Sequence, residues 1–197
     1  MGYYILSLLV LGCHVLEATF ITDTLTNAKA ETRAAIDRIR KEWDIDHYPN
    51  FLMSCQMHKS SWEILKFRFI NTIANAIGDN SLDNTDFLIA FMGSSVAAGH
   101  DSKYDKAYPL VTGTLMKSSF NAAGINLLVT NNAVANNPCM PYDSCVATYA
   151  GQNADIVHFE HSMNCFEPPM YEQFVRQASF LSKNPIVIYS ESQTHNW

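Results

Sequence analysis

The spacing of hydrophobic positions changes twice along the chain. The opening stretch from Tyr3 to Val15 is almost wholly apolar and closes at Glu17. It is shorter than the roughly 20 residues that span a bilayer, so no stable membrane span is predicted. Its length fits the apolar region of a signal peptide with cleavage after Ala18, although no Lys or Arg precedes it. From Thr22 to Trp43 the spacing becomes helical. Arg33/Asp37 and Asp37/Lys41 fall at i,i+4, and Ile36, Ile39 and Trp43 form a narrow apolar stripe. Pro49 and Asn50 mark a turn. Ser60 to Glu63 reads as a capping box that opens a second helix. Its apolar face carries Leu65, Phe69, Ile70, Ile73 and Ile77, and Gly78 ends it.

After a polar loop the period changes again. Four short, continuous apolar runs follow, at residues 87–92, 125–130, 155–159 and 186–190. Runs of this length without polar alternation read as parallel strands buried on both faces. Helical stretches lie between them, Tyr108 to Ala123 before Gly124 and Pro169 to Ser182. Alternating strand and helix predicts an α/β three-layer sandwich with a mostly parallel, doubly wound, flavodoxin-like sheet, preceded by N-terminal helices. The expected division is a signal peptide over 1–18, a helical extension over 19–84 and the α/β domain over 85–197.

Composition narrows the partners. The 197 residues are 48% hydrophobic and 16% charged, a globular balance, with a net charge of −6 and no basic run. That excludes sequence-independent binding to nucleic acid and attraction to an anionic membrane surface. Removing the first 18 residues removes Cys13 and leaves Cys55, Cys139, Cys145 and Cys165. An even count behind a secretory signal favours two disulfides. Cys139 and Cys145 flank a short loop and are the easiest pair to close, which leaves Cys55 with Cys165. Four reduced thiols are the alternative. No Asn-x-Ser/Thr sequon is present.

In a sheet of this kind ligands bind beyond the carboxyl ends of the strands. The loops there read Gly93-Ser-Ser95-Val-Ala-Ala-Gly99-His100-Asp101, then Asn131 to Asn137, then Glu160-His161-Ser162-Met163-Asn164. In residues and order these loops resemble the blocks of the SGNH (GDSL-like) hydrolase superfamily over roughly residues 85–190. Within it the pattern looks like a secreted or luminal subgroup from algae and other protists. The resemblance implies that Ser95 is the nucleophile, and that Asn136 (by its backbone N–H) and Asn164 (by its side chain) are oxyanion-hole donors. Asn131 matches the first Asn of the second block.

The departures are specific. Ser94 stands where the family has Asp, Asn136 and Ser162 stand where it has Gly, and no D-x-x-H follows Asn164. That block supplies the family's general base, so the sequence reads as incomplete at its C-terminal end. His195 has Ser, not Asp, three positions before it. His100-Asp101 is a substitute to weigh. His158, Glu160 and His161 suggest a metal site, but their spacing matches no zinc-hydrolase motif, so no metal and no cofactor is expected.

The resemblance implies a secreted or luminal serine ester hydrolase acting on a small-molecule or glycan ester, such as a carbohydrate O-acyl esterase. A degenerate glycan-binding domain and the acyltransferase portion of a larger protein are the alternatives.

Overall fold

A computed structural model describes residues 2–42, 44, 46–47, 58–78, 85–100, 102–161, 164–165 and 167–190. Cys55, Asp101, Ser162 and His195 lie outside them. Helix α1 (Gly2–Glu42) is continuous and is followed by α2 (Lys59–Gly78). The α/β unit then runs β1 (Asp86–Gly93), α3 (Ser95–Ala98), α4 (Tyr108–Ala122), β2 (Asn126–Asn131), α5 (Cys139–Tyr142), α6 (Val146–Ala150), β3 (Ile156–Glu160), α7 (Pro168–Ser179) and β4 (Ile186–Tyr189). The four strands are parallel in the order β2-β1-β3-β4. This is an α/β fold. All four apolar runs became strands because helices cover both faces of the sheet.

Burial follows position in the sheet. All of β3 is buried and β1 nearly so, whereas the edge strands β2 and β4 are only partly covered. Alternate side chains divide between two cores. Phe87, Ile89 and Phe91 face α4, joined by Phe120, Ile125 and Leu65. Ala90, Met92, Val157 and Phe159 face α6 and α7, against Val146, Phe174 and Leu181. Phe159 stacks on Phe174 with centroids 3.9 Å apart. Phe69 of α2 stacks on Phe87 at 4.6 Å and meets Phe120 edge-on at 5.4 Å, which fixes α2 to the first core.

Three local expectations are corrected. Helix α1 docks along α4 through Ala28 and Ala35, not through Ile36, which is 49% exposed. Small side chains let the two helices approach closely, and Arg38 Nη2 donates to Ser118 Oγ across the contact at 3.0 Å. In α2, Ser60 does not form a capping box. The helix begins one residue earlier, Ser60 Oγ lies 2.7 Å from His58 Nδ1, and Glu63 pairs with Lys66. Ile70 of the predicted apolar face is 63% exposed, while Leu65, Phe69 and Ile73 pack inward.

Candidate active site

The sheet order places the reversal of strand connections between β1 and β3, where open α/β sheets leave a crevice at their carboxyl ends. The parallel register of β1 and β3 pairs Gly93 with Glu160 at that edge. The backbone N–H of Ser94 donates to the Glu160 carbonyl at 2.8 Å, and the Ser94 hydroxyl donates to Glu160 Oε2, also at 2.8 Å. Glu160 is 4% exposed, so its carboxylate is held inside the turn. Gly93 is required here, since a Cβ would lie 2.6 Å from Ala97 Cβ and 2.8 Å from the Glu160 carbonyl oxygen.

This turn delivers Ser95 as the first residue of α3, a single helical turn. Gly99 ends it with φ +84°, in the left-handed region that favours glycine. The chain then folds back so that His100 N–H donates to the Ser95 carbonyl at 2.8 Å.

The loop after β2 is tied to the same edge. Asn132 N–H donates to the Phe91 carbonyl at 2.8 Å and Val134 N–H to that of Gly93 at 3.1 Å. Asn131 Nδ2 donates to the Ala97 carbonyl at 2.9 Å, so this Asn serves to bind the loop to α3. Asn136 adopts φ +56°, a conformation that Asn tolerates better than most residues and that suits a position where the resembled pattern has Gly.

The loop after β3 reaches the loop after β2 through two adjacent bonds. Asn164 Nδ2 donates to the Asn137 carbonyl at 2.6 Å, and Cys165 forms a disulfide with Cys139, their Cα atoms 5.0 Å apart. The expected pairings Cys139–Cys145 and Cys55–Cys165 are therefore incorrect, and Cys145 is a free, exposed thiol. Sequence proximity favoured Cys145, but parallel strand ends bring Cys165 beside Cys139 instead.

Ser94, Ser95, His100, Ala135, Asn136, Asn137, Pro138 and Asn164 line one open cleft of about 760 Å³. The three residues singled out from sequence, Ser95, Asn136 and Asn164, thus come together although 69 residues separate the first from the last. His158 and His161 lie elsewhere. His158 sits on the α4 side, its Nε2 2.6 Å from Ser190 Oγ and its Nδ1 3.4 Å from Tyr108 Oη. His161 is fully buried on the other side between Tyr142 and Phe159. Burial pushes both imidazoles down to about 4. Burial, and then the Glu160 carboxylate, raise the Tyr108 phenol.

A larger cavity of about 1010 Å³ opens at the opposite, amino edge of the sheet. Its charged groups are engaged in holding the fold. Arg68 donates to the carbonyls of Asp155, Lys183 and Asn184, and Asp155 Oδ2 accepts from Leu88 N–H and Lys183 Nζ.

The sequence matches no family model and no curated protein. Among solved structures it is similar to a two-domain esterase active on acetylated mannans, with a TM-score of 0.53 and 19% identity. That match covers 65% of this chain and 33% of the esterase, so the chain spans about one third of that protein. The same esterase co-crystallised with mannopentaose gives a TM-score of 0.48 at 17% identity, over 62% of this chain and 34% of that one. At 19% identity the first of these likenesses shows a similar fold alone.

Glu160 and the Cys139–Cys165 bridge are the parts of the site that sequence reasoning missed. In the sequence Glu160 reads only as a candidate metal ligand beside His158 and His161. The available signal was a carboxylate ending an otherwise apolar strand, which has to find a buried donor.

Proposed function

We propose that this chain is an SGNH-type serine ester hydrolase whose substrate is an acylated carbohydrate. The observation that carries the reading is the convergence of Ser95, Asn136 and Asn164 on one cleft at the switch point of the sheet, in the block order of that superfamily. The structural likeness to an esterase active on acetylated mannans supports the substrate class.

In this reading Ser95 Oγ attacks the ester carbonyl carbon. The N–H groups of Ser95 and Asn136 and the second amide N–H of Asn164 meet the developing oxyanion. Asn164 commits one N–H to the Asn137 carbonyl, which orients the other. Each such donor is worth about 2.7–4 kcal/mol at the transition state. The disulfide supports placement in an oxidising compartment, in line with secretion or a secretory lumen.

The test is acetate release from acetylated mannan oligosaccharides and from a chromogenic acetyl ester. Turnover that Ser95→Ala abolishes is the expected result. Turnover unchanged in Ser95→Ala removes Ser95 from the mechanism. Binding of the oligosaccharide by a chain that never releases acetate would make the domain a glycan-binding one.

A further inference from the structure

The cavity of about 1010 Å³ at the amino edge of the sheet is a groove built from unlike walls. Helix α2 forms one of them. Its Glu63, Phe67, Asn71 and Asn75 recur every four residues, so they make a single stripe along the helix, and all four line the groove. The facing elements supply Leu88 of β1, Leu128 of β2 and Asn153 from the loop before β3. The walls are fixed before any ligand arrives. Arg68 donates from α2 to the carbonyl of Asp155 at 2.8 Å and to that of Lys183 at 2.6 Å, and Phe69 stacks on Phe87 of β1.

The ionic groups of the groove cancel. Glu63 pairs with Lys66 at 2.8 Å and Asp155 with Lys183 at 2.8 Å. Asp86, which accepts from Asn126 Nδ2 at 2.7 Å, and Arg68 bring the total to three carboxylates against three cations. The groove therefore selects neither an anion nor a cation. What it leaves uncommitted is neutral. The side-chain amides of Asn71, Asn75 and Asn153 make no hydrogen bond among the described residues, and each offers two donors and an acceptor. Apolar surface lies open with them, since Phe67 is 64% and Leu128 39% exposed.

We propose that this groove binds a neutral oligosaccharide, at a site separate from the Ser95 cleft on the other edge of the sheet. A pyranose carries the matching surfaces. Its hydroxyls donate and accept, which suits side-chain amides, and its C–H face is apolar and lies flat on an exposed ring such as Phe67. Ordinary ligand sites enclose about 300–1,000 Å³, so a groove at the top of that range takes several sugar rings rather than one. No residue lines both the groove and the cleft, so the assignment stands independently of the esterase reading. Alongside that reading, it gives the chain a hold on a glycan apart from the ester being cleaved.

The experiment titrates the 197-residue chain by calorimetry with unacetylated pentasaccharides of β-linked mannose, glucose and xylose, with a sulfated pentasaccharide as the charged comparison, and maps the perturbed backbone amides by NMR. At least one neutral pentasaccharide should bind, with its perturbations centred on α2 and on the strand segments around Leu88 and Leu128. Its affinity should not change between low and high salt, because no charge is matched. Phe67→Ala and the double variant Asn71→Ala/Asn75→Ala remove exposed side chains, so both should keep the circular dichroism of the parent. Each should weaken binding by about 10-fold or more. Binding by none of the neutral pentasaccharides overturns the proposal. Binding whose perturbations centre on Ser95, Asn136 and Asn164 overturns it as well, and moves the glycan to the cleft. Affinity unchanged in both variants, or binding confined to the sulfated pentasaccharide and lost at high salt, overturns it too.

Discussion

Ser94 Oγ lies 2.8 Å from Glu160 Oε2, and the Ser94 N–H is 3.3 Å from the same oxygen. One carboxylate oxygen from the end of β3 therefore holds the turn that presents Ser95. Where the resembled superfamily puts an Asp beside its nucleophile, this chain has Ser, and the carboxylate comes from the neighbouring strand. The pair is nearly sealed, with Ser94 2% and Glu160 4% exposed.

Deleting one partner should therefore cost more than deleting both. Ser94→Ala leaves a buried carboxylate short of a donor, a loss of about 1–3 kcal/mol. The double variant with Glu160→Gln should recover part of that loss, with a coupling energy above about 0.5 kcal/mol. Urea denaturation of the four proteins of the cycle measures it. Additive losses would mean that the bond contributes nothing to the turn.

The bridge between Cys139 and Cys165 should appear as a single cross-linked peptide pair in a non-reducing digest, with Cys145 open to alkylation. Closing a separation of 26 residues stabilises the fold by about 3–4 kcal/mol on the loop-entropy estimate. Because Asn164 and Asn137 sit beside the two cysteines, reduction should also impair the cleft. The expected result is a fall in kcat for the Cys139→Ser/Cys165→Ser variant beyond its loss of stability, read well below its Tm.

Much of the fold was legible because the strands are central in the physical sense. Ile89 to Met92 and Ile156 to Phe159 are buried on both faces, and continuous apolar runs record that directly. What the runs do not record is which strand ends become neighbours. The β1–β3 register sets Glu160 against Gly93, and the Cys139–Cys165 bridge joins the segments that follow β2 and β3. Nothing local to Cys145 or Glu160 encodes that. The docking face of α1 was missed for a different reason. Large apolar residues such as Ile36 dominate a periodicity count, whereas close helix packing here uses Ala28 and Ala35. The cleft residues were legible as a set of three loops, and their geometry depends on the bridge and on the buried carboxylate.

Stability should depend on pH through His158 and His161. Burial lowers both from 6.5 to about 4, so between those values the unfolded chain binds more protons than the folded one. Folding stability then falls as pH drops from 6.5 and levels off below about 4. The slope is at most about 1.4 kcal/mol per pH unit for each histidine. Asp143 acts against the effect at His161. Chemical denaturation at pH 7.5, 6 and 5 should show this slope, and His158→Asn or His161→Leu should reduce it. A slope unchanged in both variants would assign the dependence to other groups.

Gly93→Ala tests the crossing of β1, α3 and β3. Its new methyl would collide with a side chain and with a carbonyl oxygen that already accepts the Ser94 N–H, so neither neighbour can yield without breaking the turn. Overpacking of this kind costs about 1–3 kcal/mol. The expected result is that loss together with slower acetate release, and parent-like values for both would show that the turn relaxes freely.

Asn136 gives the final and most local test. Its φ of +56° is available to Gly without strain, tolerated by Asn and unfavourable for β-branched residues. If its contribution is the backbone N–H, Asn136→Gly should keep both stability and turnover within a few-fold of the parent, since the N–H remains. Asn136→Val should lose about 1–3 kcal/mol from strain and, with the N–H displaced from the cleft, about 10²-fold or more in kcat. Thermal denaturation alongside acetate release separates the two effects. A large loss of turnover in Asn136→Gly at unchanged stability would instead make the Asn136 side chain the group that matters, and would move the oxyanion contact from backbone to amide.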